Sequence, residues 1–209
     1  MVLEASIQEE ILDGRLLPGS RINISKLKAR YGVGLAPLRE ALSRLVNTGL
    51  VKAEKNKGYT VTSVSECDLI DLYEACSYIE QLALKQSIER GEEAWEEGVV
   101  ASLYNLKKVE SNKSSFKEWS DGNSRFHNAL IDACGDVVKE LRRIVGIKLE
   151  RYVRLAFKEI DVSDYCHQHQ AIADAVLARD IELSQKLIHE HCMSGLEIHI
   201  QRFRGEQGS

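Results

Sequence analysis

Six histidines lie in the second half of this 209-residue chain, and their spacing is regular enough to test for metal chemistry. Asn123 and His127 are four apart, so on a helix they share a face, about 6 Å from one another. His169 lies eleven residues before Asp180, and His191 eleven after it. If the chain forms a helical hairpin that turns near Asp180, a rise of about 1.5 Å per residue sets both roughly 16 Å from the turn, side by side. His167 and His189 are each two residues from one of these candidates, about 200° around the helix, so at most one of each neighbouring pair enters a common site. Three imidazoles and an oxygen donor, with coordination positions left open, suit a borderline divalent ion such as Zn²⁺ or Ni²⁺. Ligand imidazoles must be neutral, so the sequence predicts metal affinity that falls as pH drops through about 6.5. A hydrolase would also need a general base beside a metal-bound water. Asp121 and Glu190 point away from Asn123 and His191, so no carboxylate stands ready as that base; a metal-dependent enzyme with an appended binding module is the competing reading, and this counts against it.

A second set of residues is cationic. Residues 1–64 carry ten Lys or Arg against six Asp or Glu, a net of +4, whereas residues 65–209 carry eighteen against twenty-six, a net of −8. A basic third on an acidic remainder fits a small module that meets a polyanion, joined to a domain that does not. The basic residues cluster on a helix read from Pro37, where Arg39, Ser43, Arg44 and Asn47 lie off the apolar stripe. They also cluster on the tip formed by Lys55, Asn56, Lys57 and Gly58. Such residues reach phosphates and base edges, and glycine lets the backbone approach a groove.

The elements that must position these groups are mostly helices. "LEASIQEEILDGRLL" spaces Leu3, Ile7, Ile11 and Leu12 for one helix face, and Ser25 is read as the cap of a second helix carrying Leu27 and Tyr31. The helix from Pro37 buries Leu38, Ala41, Leu42 and Leu45 and stops at Gly49. "LVKAE" and "YTVTS" alternate as strands around a turn at Asn56–Gly58. That order is a winged helix-turn-helix, residues 1–64. From 65 to 209 the pattern is helical throughout, first a long helix with Leu69, Leu72, Ile79, Leu82 and Ala83 inward. Helices then follow at about 91–111, 115–134, 136–159, 163–179 and 181–203, with a turn at 110–115 and a frayed tail. The fold class is therefore mainly α, a winged helix ahead of an all-helical bundle. No apolar run approaches the ~18 residues that span a bilayer, and no signal peptide opens the chain, so a soluble cytoplasmic protein is expected. The five scattered cysteines, with no CxxC pair, read as reduced thiols.

The segments "ILDGRLLPGSRI", "LKARYGVGLAPLREALSRLVNTGLV" and "NKGYTV" resemble the DNA-binding domain of the GntR family of transcription regulators. The resemblance implies a DNA face in which Arg39 is the helix arginine and Lys57 and Gly58 belong to the wing. The family usually has Ser-Arg-Thr before the proline, with that arginine reading bases. This chain has Gly34-Leu35-Ala36, so Leu35 offers only an apolar contact, for instance to a thymine methyl.

"NSRFHNALIDACG" and "HQAIADAVLARDIELSQKLIHEH" resemble the FadR-type C-terminal ligand-binding domain found behind such winged helices. The implied metal ligands are Asn123, His127, His169 and His191, with Asn123 where Asp is common. Cys76 stands where the family often has an arginine, so another cation must meet an anionic effector; Arg151 and Arg154, three apart on one face, are the candidates. The expected protein is a homodimeric repressor on a pseudo-palindromic double-stranded DNA operator. A small carboxylate bound at the metal site would control it.

Overall fold

The computed structural model describes residues 2–55, 58–111, 116–156 and 163–207, and the side chains of a few helix-end residues within these ranges lie outside the description. In the N-terminal domain, α1 (Val2–Leu12), α2 (Ile24–Tyr31) and α3 (Leu35–Asn47) precede a hairpin of β1 (Val51–Glu54) and β2 (Gly58–Val61). The strands pair antiparallel, Val51 opposite Val61 and Glu54 opposite Gly58. Helix spacing puts Ile7 and Ile11 of α1, Leu27 of α2, and Leu38, Leu42 and Leu45 of α3 into one core, closed by Val51 and Val61 of the strands. Two boundaries differ from the sequence reading. The cap of α2 is Asn23, whose Oδ1 accepts from Lys26 N at 2.9 Å, so the helix opens before Ser25. Helix α3 opens at Leu35, with Gly34 extended before it, and Pro37 stands inside the first turn. There, too, a missing N–H removes no intrahelical bond.

Ser65 caps α4 (Glu66–Arg90), its hydroxyl accepting from Asp68 N. Behind α4 come α5 (Glu93–Ser111), α6 (Phe116–Leu130), α7 (Asp136–Ala156), α8 (Ser163–Leu177) and α9 (Ile181–Gln207). α4 packs on α7 and α9, α5 on α6 and α8, and α7 reaches back to α1. The core runs through Leu69, Leu84, Val99, Leu106, Phe126, Leu130, Ile172 and Ile188, and is separate from that of the first domain. Leu82, expected inward, is 45% exposed: α4 is covered by two helices on the faces of Ala83, Leu84, Ser87 and Ile88, and Leu82 falls on the strip between them and solvent. Helix α9 continues to Gln207, through most of the stretch read as a frayed tail. The expected turn at 110–115 and the expected end of α7 at 159 lie largely outside the described residues.

The hairpin of α8 and α9 turns where the histidine arithmetic requires. Asp180 Oδ1 accepts from Leu183 N at 3.0 Å and so caps α9. Arg179, at φ 55°, carries the chain through the left-handed region. Its guanidinium donates to Ile88 O at 2.7 Å and Gly91 O at 2.8 Å, which clamps the turn onto the end of α4. A non-glycine residue in that conformation is strained, and these bonds offset the strain. Among the described residues no helix is long and apolar enough to cross a membrane.

Candidate metal centre and nucleic-acid face

His127 on α6, His169 on α8 and His191 on α9 converge: one ligand atom from each lies within 4.8 Å of the others. Their ring centroids are 5.6 Å (127–169), 5.1 Å (127–191) and 5.0 Å (169–191) apart. All three are buried, and the edge of Phe126 packs against His127 and His169. His167 is exposed, and His189 is turned to α4, where its Nδ1 sits 2.8 Å from Ser77 Oγ. The helical phase thus separates each neighbouring pair as the spacing predicts.

The rings are oriented from behind. His169 Nδ1 lies 3.2 Å from Glu110 Oε1, a carboxylate only 3% exposed, and His191 Nδ1 lies 2.7 Å from Gln168 Oε1. An acceptor at Nδ1 fixes the proton there and turns the Nε2 lone pair outward, the arrangement that raises a ligand's basicity. One turn before His127, the Oδ1 of Asn123 is buried without a hydrogen-bond partner. A buried carbonyl oxygen in that state is destabilising unless something electropositive meets it. Three neutral imidazoles, an orphaned oxygen and a carboxylate behind one ring fit a divalent ion of the Zn²⁺ or Ni²⁺ type. Glu110 was invisible in the sequence because it stands on α5, at no diagnostic spacing from any histidine.

Burial also moves the titration. Loss of water, then the neighbouring histidines, hold His127 well below its ordinary pKa; burial and His169 bring His191 down to about 3. In the folded protein His127 and His191 therefore stay neutral well below pH 6.5.

A cavity of about 500 Å³ opens beside the cluster, reached by His127, His191 and Asn123, while His169 stands behind. Its other walls include Tyr73, Cys76 and Glu80 of α4, Trp119 of α6, and Lys139, Arg142 and Arg143 of α7. The cation that sequence reasoning missed is Arg142. Its Nε donates to Glu80 Oε1 at 2.9 Å and its Nη1 to Asn128 Oδ1 at 2.6 Å. Arg151 and Arg154, expected at the effector, are not among the residues lining the cavity. Nine residues is two and a half helical turns, so Arg151 lies on the face opposite Arg142. It is 2% exposed and donates to the linker carbonyls of Thr62 at 2.8 Å and Ser63 at 3.3 Å. Arg154 joins Glu9 at 2.8 Å and Asp13 at 3.0 Å, near the end of α1, and Glu150 at 2.6 Å on its own helix. Both belong to the contact between domains.

On the opposite domain Arg39 is exposed on α3 and Lys55 at the wing. Arg44 is exposed as well but pairs with Glu40 at 2.7 Å and Glu4 at 3.6 Å, so part of its charge is already met. Gly58, at φ 89°, makes the wing turn in a conformation that side chains oppose. Lys57 and Asn56 lie outside the described residues. Leu35, 41% exposed, is the first residue of α3. Asp121 and Glu190, the nearby carboxylates in sequence, are both exposed.

Residues 2–61 match the family model of bacterial regulatory proteins of the gntR family, and residues 71–194 that of the FCD domain. The chain is 33% identical over 208 residues to the HTH-type transcriptional repressor GlaR of Escherichia coli K12, covering 95% of this chain and 94% of that protein. It is 35% identical over 207 residues to BphR of Paraburkholderia xenovorans, an uncharacterised HTH-type transcriptional regulator, covering 94% and 84%. In fold it is similar to Escherichia coli McbR/YncC, with TM-score 0.78, 18% identity and 97% of each chain covered. A GntR regulator structure from Rhodococcus sp. RHA1 gives TM-score 0.75, 20% identity and 96% of each chain. The chain belongs to the GntR family, with an FCD domain behind its winged helix. It is a transcription regulator and not an enzyme.

Proposed function

We propose that the protein is a homodimeric repressor in the cytoplasm, bound to a pseudo-palindromic double-stranded operator and controlled by a small carboxylate at a divalent metal. Asn123, His127, His169 and His191 would hold the ion, which when bound supplies a Lewis acid for the effector's carboxylate. The observation that carries the reading is the convergence of three buried imidazoles, with ligand atoms within 4.8 Å, beside a cavity large enough for a small acid that His127 and His191 line. Glu110 and Gln168 keep two of the rings aimed, and Trp119 and Leu149 close off part of the cavity wall. On the DNA side Arg39, Arg44, Lys55, Lys57 and Gly58 are the contacts we assign, with Leu35 offered to the major groove. Tyr78 and Leu82 on α4, and Val137 and Leu141 on α7, leave large apolar groups exposed on two helices that pack together, which supports pairing through this domain. The segments "GVG", "PLREALS", "KGY", "FH" and "ARD" resemble the carbon-starvation-induced regulator of γ-aminobutyrate and glutarate catabolism. That likeness supports a small dicarboxylate or hydroxy acid as effector.

Elemental analysis of untagged protein purified without chelator tests the reading. About one divalent ion per chain is expected. Replacing His169 and His191 together by alanine should remove the ion and the effector response while operator binding in a mobility shift survives. Replacing His167 and His189 instead should leave the metal content unchanged. Metal that follows the latter pair would overturn the site.

A further inference from the structure

The cavity contains a polar group that neither the DNA face nor the metal cluster uses. Glu80 is 3% exposed, and its two carboxylate oxygens have different surroundings. Oε1 accepts from Arg142 Nε at 2.9 Å, whereas Oε2 is buried without a hydrogen-bond partner. Glu80 is held in place, because Arg142 is itself tied to Asn128 at 2.6 Å. The donors on the same helix are committed elsewhere. Tyr73 OH bonds His199, and Ser77 Oγ is engaged by His189 at 2.8 Å and by Gln81 at 3.2 Å. Cys76, one turn before Glu80, offers only a thiol, a weak donor. A buried acceptor left bare is destabilising by more than a hydrogen bond is normally worth; Glu80 lines the cavity, so an occupant that brings a donor to this side chain gains by meeting it.

We propose that Glu80 Oε2 receives a hydroxyl group of the effector, so that the ligand class is a hydroxycarboxylate whose hydroxyl lies away from the metal-bound carboxylate. This rests on the effector reading above and deepens it. A hydroxyl fits better than an ammonium, because the charge of Glu80 is already balanced by Arg142, and a second cation there would face the guanidinium. A second carboxylate at this point would set oxygen against oxygen.

The test uses full-length, metal-loaded protein and calorimetric titration with sets of matched acids. Each set holds the parent acid (butyrate or valerate), its 3- or 4-hydroxy derivative and the corresponding oxo and amino acids. 2-Hydroxy acids are left out because they chelate a metal unaided. At least one hydroxy acid should bind about tenfold or more tighter than both its parent and its oxo partner. Glu80→Gln presents an amide N–H in place of Oε2, so the oxo acid should gain and the hydroxy-over-oxo ratio should fall toward one. If the Glu80→Gln variant fails to fold, the wild-type series decides alone. Parent and hydroxy acids binding equally would overturn the assignment of Glu80 while leaving the carboxylate reading standing. An amino acid binding tighter than its hydroxy counterpart would overturn the choice of hydroxyl. Binding of no acid to the metal-loaded protein would instead remove the effector reading itself.

Discussion

In the winged-helix domain, Arg39, Arg44 and Lys55 stand outside an apolar core, and the buried acid Glu10 is met on the spot by Arg30 at 2.6 Å and Tyr31 at 2.9 Å. In the helical domain the order is reversed: the side chains of His127, His169, His191, Glu80, Glu110 and Arg151 lie inside, the three imidazoles against one another and Glu80 on the wall of a cavity. A surface that reads a polyanion needs charge in solvent, where salt and DNA compete for it. A site that reads one small molecule needs polar groups held dry, where each hydrogen bond counts for more. Polar groups held dry are destabilising unless they are met, and that is where the contrast can be broken.

The largest effect should come from acid. His191 is brought down to about 3, and His127 and His199 are also lowered, chiefly by burial. Between pH 6.5 and those values the unfolded chain binds protons that the folded chain does not. Stability is therefore fully present above about pH 6.5 and is lost as pH falls below it, on the order of 3 kcal/mol by pH 4.5 from His191 alone. Calorimetric melting of metal-free protein should show Tm dropping steeply over that window. A flat Tm would mean the histidines are not buried neutral. Bound metal should raise Tm at neutral pH and make the acid limb steeper, since protons then compete with the ion.

A smaller effect is expected from Glu110→Gln, which keeps the shape behind His169 but removes the carboxylate. Metal affinity, read by competition with a coloured chelator, should fall about 10- to 100-fold. No change would demote Glu110 to packing. The smallest effects belong to the outer surface. Arg39→Ala and Lys57→Ala should each weaken operator binding and reduce the slope of log affinity against log salt by about one unit, without altering sequence preference. Unchanged binding in both variants, with folding intact, would move the DNA contact elsewhere.

These contrasts also explain what could be read from residues alone. The pairing of His169 with His191 followed from helix rise and one turn at Asp180, quantities the sequence carries locally. The core of the first domain followed from apolar spacing at Leu38, Leu42 and Leu45. Glu110 and Arg142 did not, because α5 meets α8, and α7 meets α4, across the bundle, and no local period records such contacts. Type and spacing single out Arg151 together with Arg154; only the packing of α7 shows that this face meets the linker. Residue type alone does not separate Asn23 as a cap from Ser25, equally suited and two residues later.

Helix α7 holds Arg142 and Glu150 toward the cavity, while Arg151 grips Thr62 and Ser63 and Arg154 ties Glu150 to Glu9 and Asp13. A stiff rod shared by two sites gives them a common thermodynamic account. Any free energy with which a cavity ligand shifts α7 against α1 appears unchanged, with its sign, in the reverse experiment. If an acid loosens the protein from its operator by some factor, saturating operator DNA must loosen the acid from the protein by that same factor. The protein would then release such an acid more readily while on DNA than off it.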